Sequence, residues 1–252
     1  MNNKLSTIKF NKAIFSDFDG TLSNITISPG KASINPLSKI SLAKLKNEYI
    51  IGIISGRPVK NISNLIGIEC IYYVGNHGAE ILFDGNLFVY LKAVKAAPLI
   101  KTIADDLRKR LKPPFELDFK KYSASIHYRK QPNPIFARKT IMKLLSKYDT
   151  NGILEFNDGR MVVEIRVRGI NKATALSRII KEEQINDFIY LGDDSTDIDV
   201  FNLEKPGHFN IAVKNPEADS KVFDQADLIL NDTDEVAGML GILSGQDLSK
   251  IA

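Results

Sequence analysis

The chain has one cysteine, Cys70, among its 252 residues, so no disulfide can form within it. Set in the apolar run CIYYV, that thiol is expected to be buried and structural. No run of about five or six like charges is present to track a nucleic-acid backbone. The formal net charge of +4 is small for this length, though a slight positive excess suits an anionic small-molecule substrate. Nucleic-acid binding is therefore not expected. No apolar stretch approaches the roughly 20 residues of a membrane-spanning helix. The opening MNNKLSTIKFNK offers neither an apolar core nor a small-residue cleavage site, so no leader peptide is expected. Internal repeats and low-complexity tracts are missing too. With 44% hydrophobic and 25% charged residues, the composition is that of a folded soluble protein rather than a disordered one. A cytoplasmic protein is the expectation, and a monomer is compatible with it.

What recurs is a short apolar run that ends in polar residues and leads into a helical pattern. AIFSDFDGTL ends its apolar part at Asp17 and Asp19. YIIGII ends at Ser55-Gly56-Arg57, CIYYV at Gly75, and DFIYL at Gly192-Asp193-Asp194, with FNIAV and DLIL later. Such runs suit strands buried on both faces. Helices open between them at Asn35-Pro36, an N-cap followed by a first-turn proline, and at Pro58. Strands alternating with helices predict an α/β fold with a Rossmann-like, doubly wound parallel sheet, whose ligands bind beyond the carboxyl ends of the strands.

The middle of the chain differs. ILFDGNLFV reads as a hairpin turning at Asp84-Gly85. PLIKTIADDLRKRL then reads as a helix. KYSASIHYR alternates, with Tyr122, Ala124, Ile126 and Tyr128 on one face and Lys121, Ser123, Ser125, His127 and Arg129 on the other. A second helix opens at Asn133-Pro134. A hairpin around Asn157-Asp158-Gly159 leads into RMVVEIRVR, where Met161, Val163, Ile165 and Val167 alternate with Glu164, Arg166 and Arg168. Half-buried strands with two helices predict a smaller α+β domain at residues 95–168. It is inserted into a core made of 1–94 and 169–252.

Residues i and i+2 of a strand share a face, so Asp17 and Asp19 can converge at its end. A divalent cation with hard oxygen ligands, Mg²⁺, would relieve their repulsion. Alternatively, Asp19-Gly20-Thr21 is only a turn with an Asx cap. GDDSTD places Asp193, Asp194 and Asp197 at another strand end. Alone it could be a solvated helix start with acids favoured by the dipole. Five carboxylates at one sheet edge would raise one another's pKa and call for a cation. Ser55 stands where its hydroxyl and the following N–H groups can hold a phosphate oxygen. Lys172, in GINKATAL, opposes the dipole of the helix it opens, which argues for a functional lysine.

In this order DFDGT, Ser55, Lys172 and GDDSTD resemble the motifs of the haloacid dehalogenase-like phosphohydrolases, with the insert resembling a C2-type cap. SGRP, GNHGAE, SIHYR, VEIRVRGINKATAL and GDDSTDIDVF look like the corresponding stretches of the trehalose-6-phosphate phosphatases. Two departures loosen the substrate assignment: Ala173 replaces a usual glycine and Ile198 a usual acid. The resemblance implies that Asp17 attacks phosphorus and that Asp19 moves the proton. Asp17, the Asp19 carbonyl and Asp193 would hold Mg²⁺. Asp197, and with it Asp194, would orient the metal's waters or Lys172, and Ser55 and Lys172 would bind phosphoryl oxygens. Spacing alone leaves the two aspartates interchangeable.

Arg57, His77, Lys121, Arg129, Glu164 and Arg166 are candidates for contacting a sugar phosphate, against a solvated sheet face for the cap residues and a backbone-satisfied ring for His77. His127 reads as structural, and nothing recommends His208. Other readings are a phosphatase for sucrose phosphate or for mannosyl- or glucosyl-3-phosphoglycerate, a phospho-acceptor of the receiver type, and a non-catalytic sugar-phosphate binder. Asp19 and the large insert count against the second, and the paired Asp17 and Asp19 against the third.

Overall fold

The structure is a computed structural model that describes residues 12–26, 29–148, 151–159, 161–204 and 207–245. Its strands, in chain order, begin with β1 (Lys12–Ser16), β2 (Ile50–Ile54), β3 (Tyr72–Gly75), β4 (Glu80–Phe83) and β5 (Asn86–Val89). Next come β6 (Glu116–Phe119), β7 (Ala124–His127), β8 (Leu154–Gly159) and β9 (Val162–Val167). The last are β10 (Asp187–Gly192), β11 (His208–Val213) and β12 (Leu228–Leu230). The helices are α1 (Pro36–Leu45), α2 (Val59–Ile66), α3 (Leu91–Arg110), α4 (Pro134–Leu145), α5 (Lys172–Glu183), α6 (Ile198–Phe201), α7 (Ser220–Phe223) and α8 (Thr233–Leu243). No described helix is long and apolar enough to cross a membrane.

The chain divides into two compact units, Met1–Leu87 with Asn171–Ala252, and Phe88–Ile170. In the first unit, β12, β11, β10, β1, β2 and β3 lie side by side in parallel, and β4 turns back antiparallel beside β3. The parallel α/β core is thus the expected one. β1 is the switch point: β2 follows on one side, while β10, from the far end of the sequence, pairs on the other. The central strands are apolar between their ends because both faces are covered, as in Ala13–Phe15 of β1 and Phe188–Leu191 of β10. Ile14, Leu22, Leu42, Ile51, Ile53, Ile62, Ile66, Leu191, Val213 and Leu240 share one core cluster. Full burial fails toward the β12 edge of the sheet, where Leu228 and Ile229 of β12 and Phe209 of β11 are exposed.

The predicted caps form. Asn35 accepts from the Leu37 amide at 3.0 Å ahead of Pro36, and Asn133 from Phe136 at 3.0 Å ahead of Pro134. Asn171 and Thr174 close a reciprocal capping box that fixes the start of α5. The second unit is a four-stranded antiparallel sheet in the order β6-β7-β9-β8. Ala124, Ile126, Val163, Ile165 and Val167 form its buried face.

Four local expectations are corrected. Cys70 is exposed, held at φ 58° in the turn before β3 rather than within the strand. Helix α3 opens at Leu91, not near Pro98; Ala93 and Ala96 extend the buried stripe of Ile100, Ile103 and Leu107 about two turns further back, and Pro98 sits inside. Asn157–Gly159 belong to β8, so the hairpin turns later, where Met161 has φ 61°. Strand β7 covers only Ala124–His127, so Lys121, at φ 70°, and Arg129 lie outside it.

Candidate active site

The parallel register fixes which polar residues meet at the sheet edge. Ser16 pairs with Ile53 of β2 and Leu191 of β10, and the Asp17 amide still donates to the Leu191 carbonyl at 2.8 Å. Asp17 therefore follows β1 at the level where β2 gives way to Ser55 and β10 to Asp193. Asp17, Asp193 and Asp197, all buried, each offer one carboxylate oxygen within 4.8 Å of the others. Lys172, 2% exposed, enters from the first turn of α5. Its Nζ lies 3.0 Å from Asp17 Oδ1 and donates to Asp197 Oδ1 at 2.7 Å.

Each acid has its own support. Asp193 accepts from the Thr21 hydroxyl at 2.8 Å on one oxygen and from Asn215 Nδ2 at 2.8 Å on the other. Asp197 Oδ1 accepts from Lys172 and, at 2.5 Å, from the Tyr190 phenol. Its Oδ2 accepts the amides of Asp193 and Asp194, both at 3.1 Å. With four donors already on it, Asp197 is built to orient Lys172 and the GDD turn. Gly20, at φ 92°, passes so close to Asp193 Oδ2 and Asn215 that a Cβ would overlap both.

Five carboxylates do not gather, contrary to the expectation. Asp194 caps the short turn of Ser195–Asp197 by accepting the Ser195 amide at 2.7 Å. Asp19 turns to Arg57, with Nε on Oδ2 at 2.7 Å and Nη2 on Oδ1 at 2.6 Å. Each member of the DFD pair thus has a separate cation, Lys172 for Asp17 and Arg57 for Asp19.

Burial raises the Asp17 carboxyl to about 7; Lys172 opposes the shift, while Asp197 and Asp19 add to it. Burial likewise drives Asp193 well above the usual carboxylate range, reinforced by Asp17 and Asp197. For Lys172, burial acts downward but the attraction of Asp17 and Asp197 outweighs it, so the ammonium is favoured. Three buried carboxylates against one ammonium leave an excess of negative charge. Together with a hard, all-oxygen donor set, this fits a small divalent cation.

Ser55 is buried behind β2, where its hydroxyl accepts the Arg57 amide at 3.1 Å. His77 lies in a short turn, Asn76–Gly78, whose three residues all have positive φ. Its amide donates to the Ser55 carbonyl at 3.1 Å, and its ring packs on Gly56, where a Cβ would overlap it. Glu80 holds this turn to α2, accepting from Asn76 Nδ2 at 2.6 Å and from the Val59 amide at 3.0 Å.

In the second unit, Glu164 and Arg166 stand on the polar face of β9 with their charged groups 3.7 Å apart, and Ser125 donates to Glu164 at 3.5 Å. Lys121 and Arg129 are exposed in the flanking turns, Lys121 with its Nζ over the Tyr122 ring. The supports at Thr21, Tyr190, Glu80 and Asn215 were not foreseen. Thr21 closes the DFDGT stretch and Glu80 the GNHGAE stretch, the two such signals the sequence carried.

A trehalose-phosphatase family model matches residues 15–232. The chain is 30% identical over 217 residues to a trehalose-phosphate phosphatase of Mycobacterium bovis, covering 81% of this chain and 54% of that protein. To the Mycobacterium ulcerans protein of the same name it is 31% identical over 219 residues, with 81% and 54% covered. It thus spans about half the length of the curated relatives it matches. Two solved structures share the fold. The C-terminal domain of a Candida albicans trehalose-6-phosphate phosphatase has TM-score 0.77 at 24% identity, over 95% of this chain and 93% of that one. A haloacid dehalogenase-like hydrolase from Bacteroides thetaiotaomicron has TM-score 0.67 at 17%, over 92% and 99%.

Proposed function

The chain belongs to the trehalose-phosphatase family, and from that premise we propose that it is a Mg²⁺-dependent phosphoric monoester hydrolase that releases phosphate from trehalose 6-phosphate. The observation that supports this most is the buried set of Asp17, Lys172, Asp193 and Asp197 at the switch point of a parallel sheet. Asp17 attacks phosphorus, displacing the sugar oxygen and forming an aspartyl-phosphate. Asp19 gives a proton to the departing oxygen and then takes one from the water that cleaves the intermediate. Asp19 is suited to this because its side chain is 37% exposed while that of Asp17 is 8%. Lys172 and Ser55 hold phosphoryl oxygens as charge moves onto them. Asp17, Asp193 and the Asp19 carbonyl would hold the cation, which neutralises the charge of carboxylate and phosphate so that the two can approach.

Sugar recognition is assigned to Glu164 and Arg166, with Lys121, Arg129 and His77 as further contacts; charged side chains suit the many hydroxyls of a disaccharide. The test is phosphate release across a panel of sugar phosphates, with and without EDTA. Trehalose 6-phosphate is expected to be the fastest substrate, and EDTA to abolish its turnover. No turnover of any substrate with Mg²⁺ present would overturn the enzymatic reading, and slow turnover of trehalose 6-phosphate alone would overturn the substrate.

A further inference from the structure

Arg57 was read from the sequence as a substrate contact, yet its guanidinium is committed elsewhere. Two of its N–H groups form a fork on Asp19, at 2.7 and 2.6 Å, one on each carboxylate oxygen. A third nitrogen, Nη1, reaches Asn61 Oδ1 at 3.3 Å, and the guanidinium carbon lies 5.5 Å from the centre of the Phe18 ring. The backbone is tied as well: the Arg57 amide donates to Ser55 Oγ, and its carbonyl accepts the Asn76 amide at 2.8 Å. The arginine side chain is only 12% exposed, so this is not a loose surface pair. A planar fork on a carboxylate fixes direction as well as distance.

We propose that Arg57 is the positioning residue for Asp19, holding it by both oxygens at rest and by one oxygen while the other transfers the proton. The inference rests on the hydrolytic reading above, because it concerns how that reaction's proton carrier is aimed. An oxygen that is to hand a proton to the leaving group must first release its N–H donor. The second bond then serves as the pivot that keeps the carboxylate within reach. Lysine cannot replace this arrangement, since one ammonium offers a point charge and no fork.

The test compares two leaving groups in the full chain. The alkoxide of trehalose 6-phosphate needs a proton in order to depart, whereas the phenolate of p-nitrophenyl phosphate leaves without one. For Arg57→Lys and Arg57→Ala, kcat on trehalose 6-phosphate should fall about 10- to 100-fold with KM within about twofold, the scale expected of a misaimed proton carrier. On p-nitrophenyl phosphate, the pre-steady-state burst of p-nitrophenolate should keep its rate within about threefold, and the retained burst also shows that the variants fold. Steady turnover slows on this substrate too, because Asp19 also activates the water that cleaves the shared aspartyl-phosphate. Asp19→Asn should likewise keep the p-nitrophenolate burst while losing turnover of trehalose 6-phosphate, and adding Arg57→Ala to it should cost little more.

A p-nitrophenolate burst slowed as much as the turnover of trehalose 6-phosphate overturns the inference, as does a raised KM for trehalose 6-phosphate at unchanged kcat, which would return Arg57 to substrate binding. Additive losses in the double variant also overturn it. Those outcomes leave the hydrolytic reading intact. Failure of the unmodified protein to turn over either substrate removes both.

Discussion

Replacing Lys172 by methionine removes the ammonium that lies between Asp17 and Asp197 while keeping most of the side-chain volume. Three buried carboxylates then share a space 4.8 Å across with no lysine among them. Breaking a buried ion pair by removing one partner costs about 3–5 kcal/mol, because the other charge stays desolvated. In a chain of this size that corresponds to a fall in Tm on the order of 10 °C. The cost depends on pH in a definite direction. In the folded protein the Asp17 carboxyl stands at about 7 against 3.8 for the free group. Its contribution to stability is thus fully present below about pH 4 and lost as pH rises through about 7.

Without Lys172 the carboxylates rise further, so Lys172→Met should lose most at pH 8 in EDTA and much less at pH 5. Adding Mg²⁺ at pH 8 should restore part of the loss. Thermal unfolding followed by circular dichroism reads all three conditions. A variant as stable as the parent at pH 8 in EDTA, or a penalty equal at pH 5 and 8, would refute the reasoning.

Tyr190→Phe deletes the phenol that donates to Asp197 Oδ1 at 2.5 Å and should cost about 1–3 kcal/mol in denaturant unfolding; a loss under about 0.5 kcal/mol would show that the phenol anchors nothing. Gly20→Ala forces a left-handed alanine, at φ 92°, whose Cβ overlaps Asp193 and Asn215. Calorimetric titration should then show Mg²⁺ binding at least about tenfold weaker, and unchanged affinity would count against the assignment of Asp193 to the cation.

The alternation of apolar runs with capped helices carried the parallel core, because burial on both faces of a sheet leaves a plain signature in the strands and Asn-Pro a plain one at helix starts. Asp17 and Asp193 were legible for a similar reason: each follows the end of such a run, and register then brings them together. Lys172 was legible because it opposes the dipole of the helix it opens. What was hidden depends on long-range contacts. Nothing around Arg57 announces that it reaches back 38 positions to Asp19. Nor does the run before Gly192 show that Tyr190 points its hydroxyl at Asp197, or Asn215 that it steadies Asp193 from 22 positions away.

The local misreadings share another cause. Cys70, Lys121 and Met161 all adopt positive φ without being glycine, which no composition rule foretells. Pro98 resembles a helix start, yet α3 passes through it because the alanines before it continue the buried stripe.

The nucleophile is the central claim, and trapping it is the most direct test. The chain would be quenched in acid during turnover of trehalose 6-phosphate with Mg²⁺ and digested, and the peptide containing Asp17 examined by mass spectrometry. The account predicts an acid-stable, alkali-labile phosphate on Asp17, absent from Asp17→Asn, which should keep its fold and release no phosphate. Phosphate on another residue, or steady turnover by Asp17→Asn, would contradict it.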